Sequence, residues 1–209
     1  RVELVDNLIH DNRVIASQSF GGGVGAWSAG EVILTGNLVT GNRSTSQGGG
    51  ISIRDGTAAY IYNNLVADNG VDDLAGGYAG IELRADRGSI VINNTVVGNH
   101  DGLAQVGVSW SQVDPYFANN IIAFGDGLGL RGDGVPSISS FYSDVFANAL
   151  GNYDGIGDLT GLNGNISADP LFVAFSDDGD MTNDDLSFDV GSPAIDAGAP
   201  GVSDLDGSA

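Results

Sequence analysis

The sequence predicts an all-β protein built as a parallel β-helix, a solenoid of about six to seven coils closed by an irregular C-terminal capping segment. Two observations carry that expectation. The phrase Asn-x-Val-x-x-Asn recurs as Asn7-Leu-Ile-His-Asp-Asn12, Asn37-Leu-Val-Thr-Gly-Asn42, Asn64-Leu-Val-Ala-Asp-Asn69 and Asn94-Thr-Val-Val-Gly-Asn99, and more loosely as Asn120-Ile-Ile-Ala-Phe-Gly125. Its lead asparagines are spaced 30, 27, 30 and 26 residues apart, a period that belongs to stacked repeats. In addition, short runs rich in Val and Ile alternate with Gly, Asn and Asp, and no stretch has helical periodicity.

Within a repeat, the residue three before the lead asparagine is Leu4, Leu34, Ile61, Val91 or Phe117, and the residue two after it is Ile9, Val39, Val66, Val96 or Ile122. Both columns are apolar, so both are expected to point inward. A further strand lies thirteen residues upstream, at Val24-Gly-Ala-Trp27, Ile51-Ser-Ile-Arg54 and Ile81-Glu-Leu-Arg84. Coils stacked about 4.8 Å apart place equal positions over one another. The lead asparagines then form a ladder of side-chain amides. Asp6, Gly36, Asn63, Asn93 and Asn119 precede them and suit a left-handed bend. Length varies at one corner only: from lead asparagine to the next inward strand residue the count is 17, 14 and 17, whereas the other leg stays at 13. Loops at such corners are where binding usually resides. Glycines at 21–23, 48–50 and 76–77 mark the return from that loop to the strand.

These Asn-Asn-x-Val-x-x-Asn phrases and Gly-Ile-x-Ile strands resemble the right-handed parallel β-helix proteins of the pectate-lyase-like group, over Arg1 to about Asp126. Asp169-Pro-Leu-Phe172, Gly191-Ser-Pro-Ala-Ile-Asp-Ala-Gly198 and Asp204-Leu-Asp-Gly207 are similar to the closing segment of many secreted bacterial and archaeal members. The resemblance implies a secreted or surface-displayed module, one domain of a longer polypeptide. It fixes a scaffold rather than an activity, because such coils serve lyases, hydrolases, epimerases, adhesins and spikes alike.

Residues 1–140 are expected to form the repeats, and 141–209 a degenerate last coil and acidic cap of the same domain, with Asp144 at the ladder position. Asp169-Pro-Leu-Phe172 and Pro193-Ala-Ile195 read as strand pieces covering the end of the core. The N-terminal end carries no cap in the sequence, which leaves room for upstream residues or for end-to-end self-association into a filament.

Charge narrows the function classes. Acidic residues number 27 against seven basic ones, for a net charge of −20, and all seven basic residues are arginine. Nucleic acid and anionic membranes depend on Lys and Arg, so neither is an expected partner. Polyanionic polysaccharides would need bridging divalent cations. An aspartate-rich, lysine-free surface suits high salt or a calcium-rich exterior. No apolar run is long enough for direct membrane insertion. The absence of cysteine fits either side of a membrane.

The outward column of the upstream strands is read as Trp27, Arg54, Arg84, then Ser109 or Trp110, then Arg131, the fourth coil being ambiguous between an inward Val106/Val108 pair and a thirteen-residue count that selects Gly107. With Glu82 beside it, this face is the candidate glycan groove, since indoles stack on sugars and guanidinium groups fork to carboxylates or hydroxyls. The alternative is that Arg54 pairs with Asp55 and Arg84 with Asp86. A polysaccharide lyase would rely on Arg54 and Arg84 for its base and its carboxylate neutralisation. A hydrolase would need two facing carboxylates, and Glu82 stands alone. Non-catalytic structural, adhesive or glycan-binding work, with polysaccharide or neighbouring surface-protein domains as partners, is therefore the primary expectation. His10 and His100 are read as solvated loop residues. Asp178, Asp180, Thr182 and Asp184 alternate as oxygen ligands and are a candidate calcium loop, without the glycine and distal glutamate of an EF-hand. Asp204 and Asp206 are a weaker version of the same idea, and the glycosylation sequons at Asn42, Asn93 and Asn165 carry no weight.

Overall fold

The computed structural model describes residues 1–16, 19–72, 77–84, 87–110, 113–135 and 137–200. The chain winds as a parallel β-solenoid of about five turns, fewer than the six to seven expected from the repeats. Three sheets of six parallel strands run its length. The first starts at Val2–Val5 and continues through Glu31–Thr35, Ala58–Tyr62, Ile90–Ile92, Tyr116–Ala118 and Ser139–Phe141. The second follows after a one-residue bend, from Leu8–His10 through Leu38–Thr40, Leu65–Ala67, Thr95–Val97 and Ile121–Ala123 to Asp144–Phe146. A short third sheet joins Arg13–Val14, Arg43–Ser44 and Gly70–Val71. The fourth runs from Val24–Trp27 through Ile51–Arg54, Tyr78–Arg84, Ala104–Ser109 and Leu128–Asp133 to Gly151–Asp154.

Residues of equal rank lie in files, as the spacing requires. Leu4, Leu34, Ile61, Val91 and Phe117 pair in register along the first sheet. Ile9, Val39, Val66, Val96, Ile122 and Val145 do so along the second. Val24, Ile51, Ile81, Val106 and Leu130 do so along the fourth. Together they form one continuous buried core. Each fully buried Ile, Leu or Val contributes about 1.5–3 kcal/mol relative to exposure. The register also settles the fourth coil: Val106 faces Ile81 and Val108 faces Leu83, and the thirteen-residue count fails because Ser109 to Tyr116 takes seven steps where Arg84 to Ile90 takes six.

The bend before each lead asparagine is left-handed, with φ of 53° at Asp6, 65° at Gly36, 54° at Asn63, 57° at Asn93 and 54° at Asn119. The asparagines then stack. Asn37 donates its main-chain N–H and its side-chain amide to Asn64 Oδ1 (both 2.9 Å), Asn64 does the same to Asn94 Oδ1 (2.9 and 3.0 Å), and Asn94 to Asn120 Oδ1 (both 3.1 Å). The ladder goes on through Ser143, not Asp144: Asn120 N–H donates to Ser143 Oγ, and Ser143 N–H to Asn165 Oδ1. Asp144 sits one place later, paired with Ile121.

A second ladder, built from the closing asparagine of the same phrase, runs beside the first. Asn12 donates to Asn42, Asn42 to Asn69 and Asn69 to Asn99, each through main chain and side chain. Where the phrase lapses to Gly125, the rung is supplied by Gln105. Its Oε1 accepts from Asn99 N–H and Nδ2 (3.3 and 3.0 Å), and its Nε2 donates to Ala123 O and Asn148 Oδ1 (2.8 and 2.5 Å). In the other coils the residue facing the rung is Gly23, Gly50, Gly80 or Gly129, and a Cβ there would lie 2.6–3.1 Å from the amide of Asn42, Asn69, Asn99 or Asn148. The coil that lost its asparagine has gained a glutamine at the facing position.

Coil stacking continues to Gly151–Asp154, beyond the point at which the phrase loosens. The chain then leaves the coil, which is why the turn count falls short. Phe172–Ala174 pairs antiparallel with Asp185–Phe188. This hairpin does not cover the end of the core, as its sequence suggested. It lies against the outer face of the second sheet, where Phe172, Phe175, Met181 and Leu186 pack with Leu65, Phe124 and Phe146 around Ala67, Val97, Ile121 and Ala123. Phe124 and Phe175 stack with ring centres 5.1 Å apart. Among the described residues no helix is long and apolar enough to cross a membrane.

Candidate functional site

Register along the fourth sheet sorts the expected groove residues into two outward columns. Trp27, Arg54, Arg84, Ser109 and Asp133 make one; Gly25, Ser52, Glu82, Gly107, Arg131 and Asp154 make the other. Arg131 therefore aligns with Glu82 rather than with Arg84. Trp110 belongs to neither column: with φ 57° it is the bend residue that follows the strand, equivalent to Ser28 and Asp55, and its N–H donates to Asp133 O as theirs do to Arg54 O and Arg84 O.

The middle of this face is not an open groove. Glu82 is fully buried and Arg54 is 5 % exposed. Arg54 Nη2 and Nε reach Glu82 Oε1 and Oε2 at 2.6 and 3.0 Å, a forked pair, and Ser52 Oγ donates to Glu82 Oε2 at 2.7 Å. Gln47 Oε1 accepts from the same guanidinium, and the Phe20 ring lies 3.4 Å from its central carbon. Phe20 and Gln47 come from the variable-corner loops and bridge to each other over the strands. In the next coil the Tyr78 ring takes the space beside Gly107, where a Cβ would lie 2.0–2.4 Å from three of its ring atoms. The expected partner Asp55 is turned away at its bend, so Arg54 pairs across coils with Glu82. Asp86, the expected partner of Arg84, lies outside the described residues, as do Asp204 and Asp206.

What stays accessible is the rim where the strands end. Trp27 is 65 % exposed and Trp110 58 % exposed, with half-buried Arg84 between them. The two indoles belong to the first and fourth coils, hence about 14 Å apart along the axis at 4.8 Å per coil. Trp27 is braced edge-on by Phe20 at 6.1 Å, and the Trp110 ring rests over Gly134. Arg131 forms an ion pair with Asp154 at 3.2 Å.

A second polar constellation lies on the opposite corner. Arg13 and Arg43 both bind Asp72, and Arg43 also binds Asp101. Arg13 first, then Arg43, holds the Asp72 carboxyl below its ordinary range. One coil on, the imidazole of His100 is half-buried among three carboxylates. Its Nε2 lies 3.2 Å from Asp177 Oδ1 and 3.8 Å from Asp68 Oδ1, and its Nδ1 lies 3.9 Å from Asp126 Oδ2. The carboxylate of Asp68, with those of Asp177 and Asp126, raises its pKa above that of a free imidazole, while burial works against the rise. His100 is thus no solvated loop residue. His10 is solvated, with its ring half exposed and 2.9 Å from Asp11, but it ends the strand Leu8–His10 and pairs with Thr40, so it is no loop residue either. Asp68 was visible in the repeat phrase and His100 follows the closing Asn99, but Asp177 comes from the C-terminal hairpin, which obeys no repeat.

The candidate calcium loop is organised by its own side chains. Asp178 Oδ1 accepts from Asp180 N–H, Asp180 Oδ1 from Thr182 N–H and Oγ1, and Asp184 Oδ1 from Ser176 N–H and Oγ. Asp178, Asp180 and Asp184 do not converge on one point; among the described residues the cluster that does is Asp68, His100 and Asp177.

This architecture defines a class. The chain belongs to the right-handed β-helix family: the family model described as "Right handed beta helix region" matches residues 1–122 and, in a second overlapping register, 41–161. Comparison with curated proteins and with solved structures finds no match. The fold and family support a structural or carbohydrate-related module.

Proposed function

We propose that the chain is a non-catalytic structural module of a secreted or cell-surface protein that contacts a neutral glycan along the Trp27–Arg84–Trp110 rim. The observation that carries this reading is the burial of Arg54 and Glu82 against each other. A lyase base must reach the proton beside a uronate carboxyl, and Arg54 is covered by Phe20, Gln47 and its partner carboxylate. Among the described residues Glu82 has no second carboxylate facing it across an open cleft, as a glycosidase requires. The rim, by contrast, offers two indole faces held by Phe20 and Gly134 and a guanidinium between them. Indole faces stack on sugar rings with little loss of side-chain freedom. The net charge of −20 favours a neutral glycan over a polyuronate.

Two measurements test it. Affinity electrophoresis in gels containing neutral polysaccharides is expected to retard the protein, with retardation lost in Trp27→Ala and Trp110→Ala. Incubation with pectate, alginate and glycosaminoglycans is expected to give no unsaturated-sugar absorbance. Product formation that disappears in Arg84→Ala would replace this reading with a lyase.

A further inference from the structure

Asp68 is a buried carboxylate that, among the described residues, meets only a long ion pair, to His100 Nε2 at 3.8 Å. Its side chain is 3 % exposed, and neither oxygen has a hydrogen-bond partner. A buried anion of this kind is costly unless a cation compensates it. His100 is the nearest cationic group, but its Nε2 bears at most one proton, and Asp177 at 3.2 Å is better placed to accept it than Asp68 at 3.8 Å. Two carboxylates therefore converge on one nitrogen that can serve only one of them. A metal ion can serve all three.

We propose that Asp68, His100 and Asp177 form a binding site for a divalent transition metal of the zinc class, which fastens the C-terminal hairpin to the solenoid. The geometry favours it. Their ligand atoms all lie within 4.8 Å of one another. Two ligands at about 2.0–2.1 Å from a tetrahedral ion stand about 3.4 Å apart, and the observed 3.2 and 3.8 Å bracket that value. The donor set, one imidazole nitrogen and two carboxylate oxygens, leaves a fourth position for water. Imidazole selects zinc-like ions over magnesium and calcium, which prefer all-oxygen shells. Gly98 makes the room: a Cβ there would lie 3.3 Å from both Asp68 Oδ1 and Asp177 Oδ1. Asp68 and Gly98 are the bend residues of successive coils, at φ 53° and 56°. His100 follows the bend of the second coil, while Asp177 belongs to the hairpin packed on the second sheet. A bound ion would thus cross-link two coils and the C-terminal segment, independently of any ligand on the rim.

The test uses the whole chain, stripped with chelator and titrated with Zn²⁺ by calorimetry, with Mg²⁺ as the comparator. Expected are one equivalent of Zn²⁺, no comparable response to Mg²⁺, and at least tenfold weaker Zn²⁺ binding in Asp68→Asn and in His100→Gln. Asp180→Asn, on the neighbouring loop, should bind as the parent does. Hydrogen exchange through residues 172–188 should slow on adding Zn²⁺ to the parent and not to His100→Gln, whose fold is checked by an unchanged far-ultraviolet circular dichroism spectrum. Absence of binding, an equal response to Mg²⁺, or undiminished binding in either ligand variant would overturn the assignment.

Discussion

Replacing Gln105 tests whether the second asparagine ladder is a device or a by-product of repetition. In Gln105→Gly the main-chain N–H of Asn99 loses its acceptor, and three further bonds, from Asn99 Nδ2 and to Ala123 O and Asn148 Oδ1, disappear. One orphaned buried donor costs about 1–3 kcal/mol, and each of the three further lost bonds about 1 kcal/mol net, so the variant should be destabilised by about 4–6 kcal/mol. Gly125→Asn alone should also destabilise, by about 1–3 kcal/mol, because its Cβ would overlap Gln105 Cγ and lie 2.6 Å from Cδ. Combined, the two changes restore the pattern of the neighbouring coils, with asparagine in the rung and glycine facing it, where a Cβ would crowd the amide, and stability should return to within about 1 kcal/mol of the parent. The coupling can be read from urea unfolding followed by far-ultraviolet circular dichroism, taken as a double-mutant cycle. Losses that add, or a double variant worse than either single one, would refute the exchange of roles between positions 105 and 125.

Other expectations follow from buried charge. Asp144 is buried, and this loss of hydration lifts its pKa to about 6, with the nearby carboxylate of Asp169 adding to the rise and the Ala168 N–H opposing it; the buried Tyr153 phenol is its other titratable neighbour. A carboxyl whose folded pKa is raised favours the fold when protonated, so its benefit is full below about pH 3.8 and fades as pH rises through about 6. Asp144→Asn should therefore leave stability unchanged near pH 4 and raise it by about 2–3 kcal/mol at pH 7.5, by denaturant titration at both values. Glu82→Gln strands the Arg54 guanidinium beneath Phe20 and should cost about 3–5 kcal/mol, whereas replacing both partners with methionine should recover most of the loss; thermal unfolding of the two variants distinguishes them.

How much of this was legible in the sequence depended on whether a residue obeyed the repeat. The inward files from Leu4 to Phe117 and from Ile9 to Ile122, and the left-handed bends before the lead asparagines, follow from period alone, because stacking forces equal positions together. The second ladder was spelled in the same phrase by Asn42, Asn69 and Asn99, and the exchange at Gln105 and Gly125 was signalled by a glycine that precedes each closing asparagine by 19 residues in the other coils. The outward face was misread because period says where a side chain points and not what covers it: Phe20 and Gln47 come from the corner whose length varies. Trp110 was misplaced by the extra residue between Ser109 and Tyr116, and Arg131 because Leu128-Gly-Leu-Arg131 copies the pattern of Ile81-Glu-Leu-Arg84 while the register puts Leu130, not Leu128, in the file of Ile81. The corner around His100 needed Asp177, and no periodic argument reaches the hairpin that carries it.

The central claim, that residues of equal rank are piled at one-coil intervals, is tested most directly by electron spin distances. The chain has no cysteine, so label pairs can be placed at will. Glu3, Ile33, Tyr60, Ile90, Tyr116 and Ser139 occupy one file of the first sheet. Labels at Glu3 and Tyr116 should lie about 19 Å apart, and at Glu3 and Ser139 about 24 Å, at 4.8 Å per coil, each with a narrow distribution. Distances that do not grow by one coil spacing from the first pair to the second would contradict the stacked architecture and everything built on it.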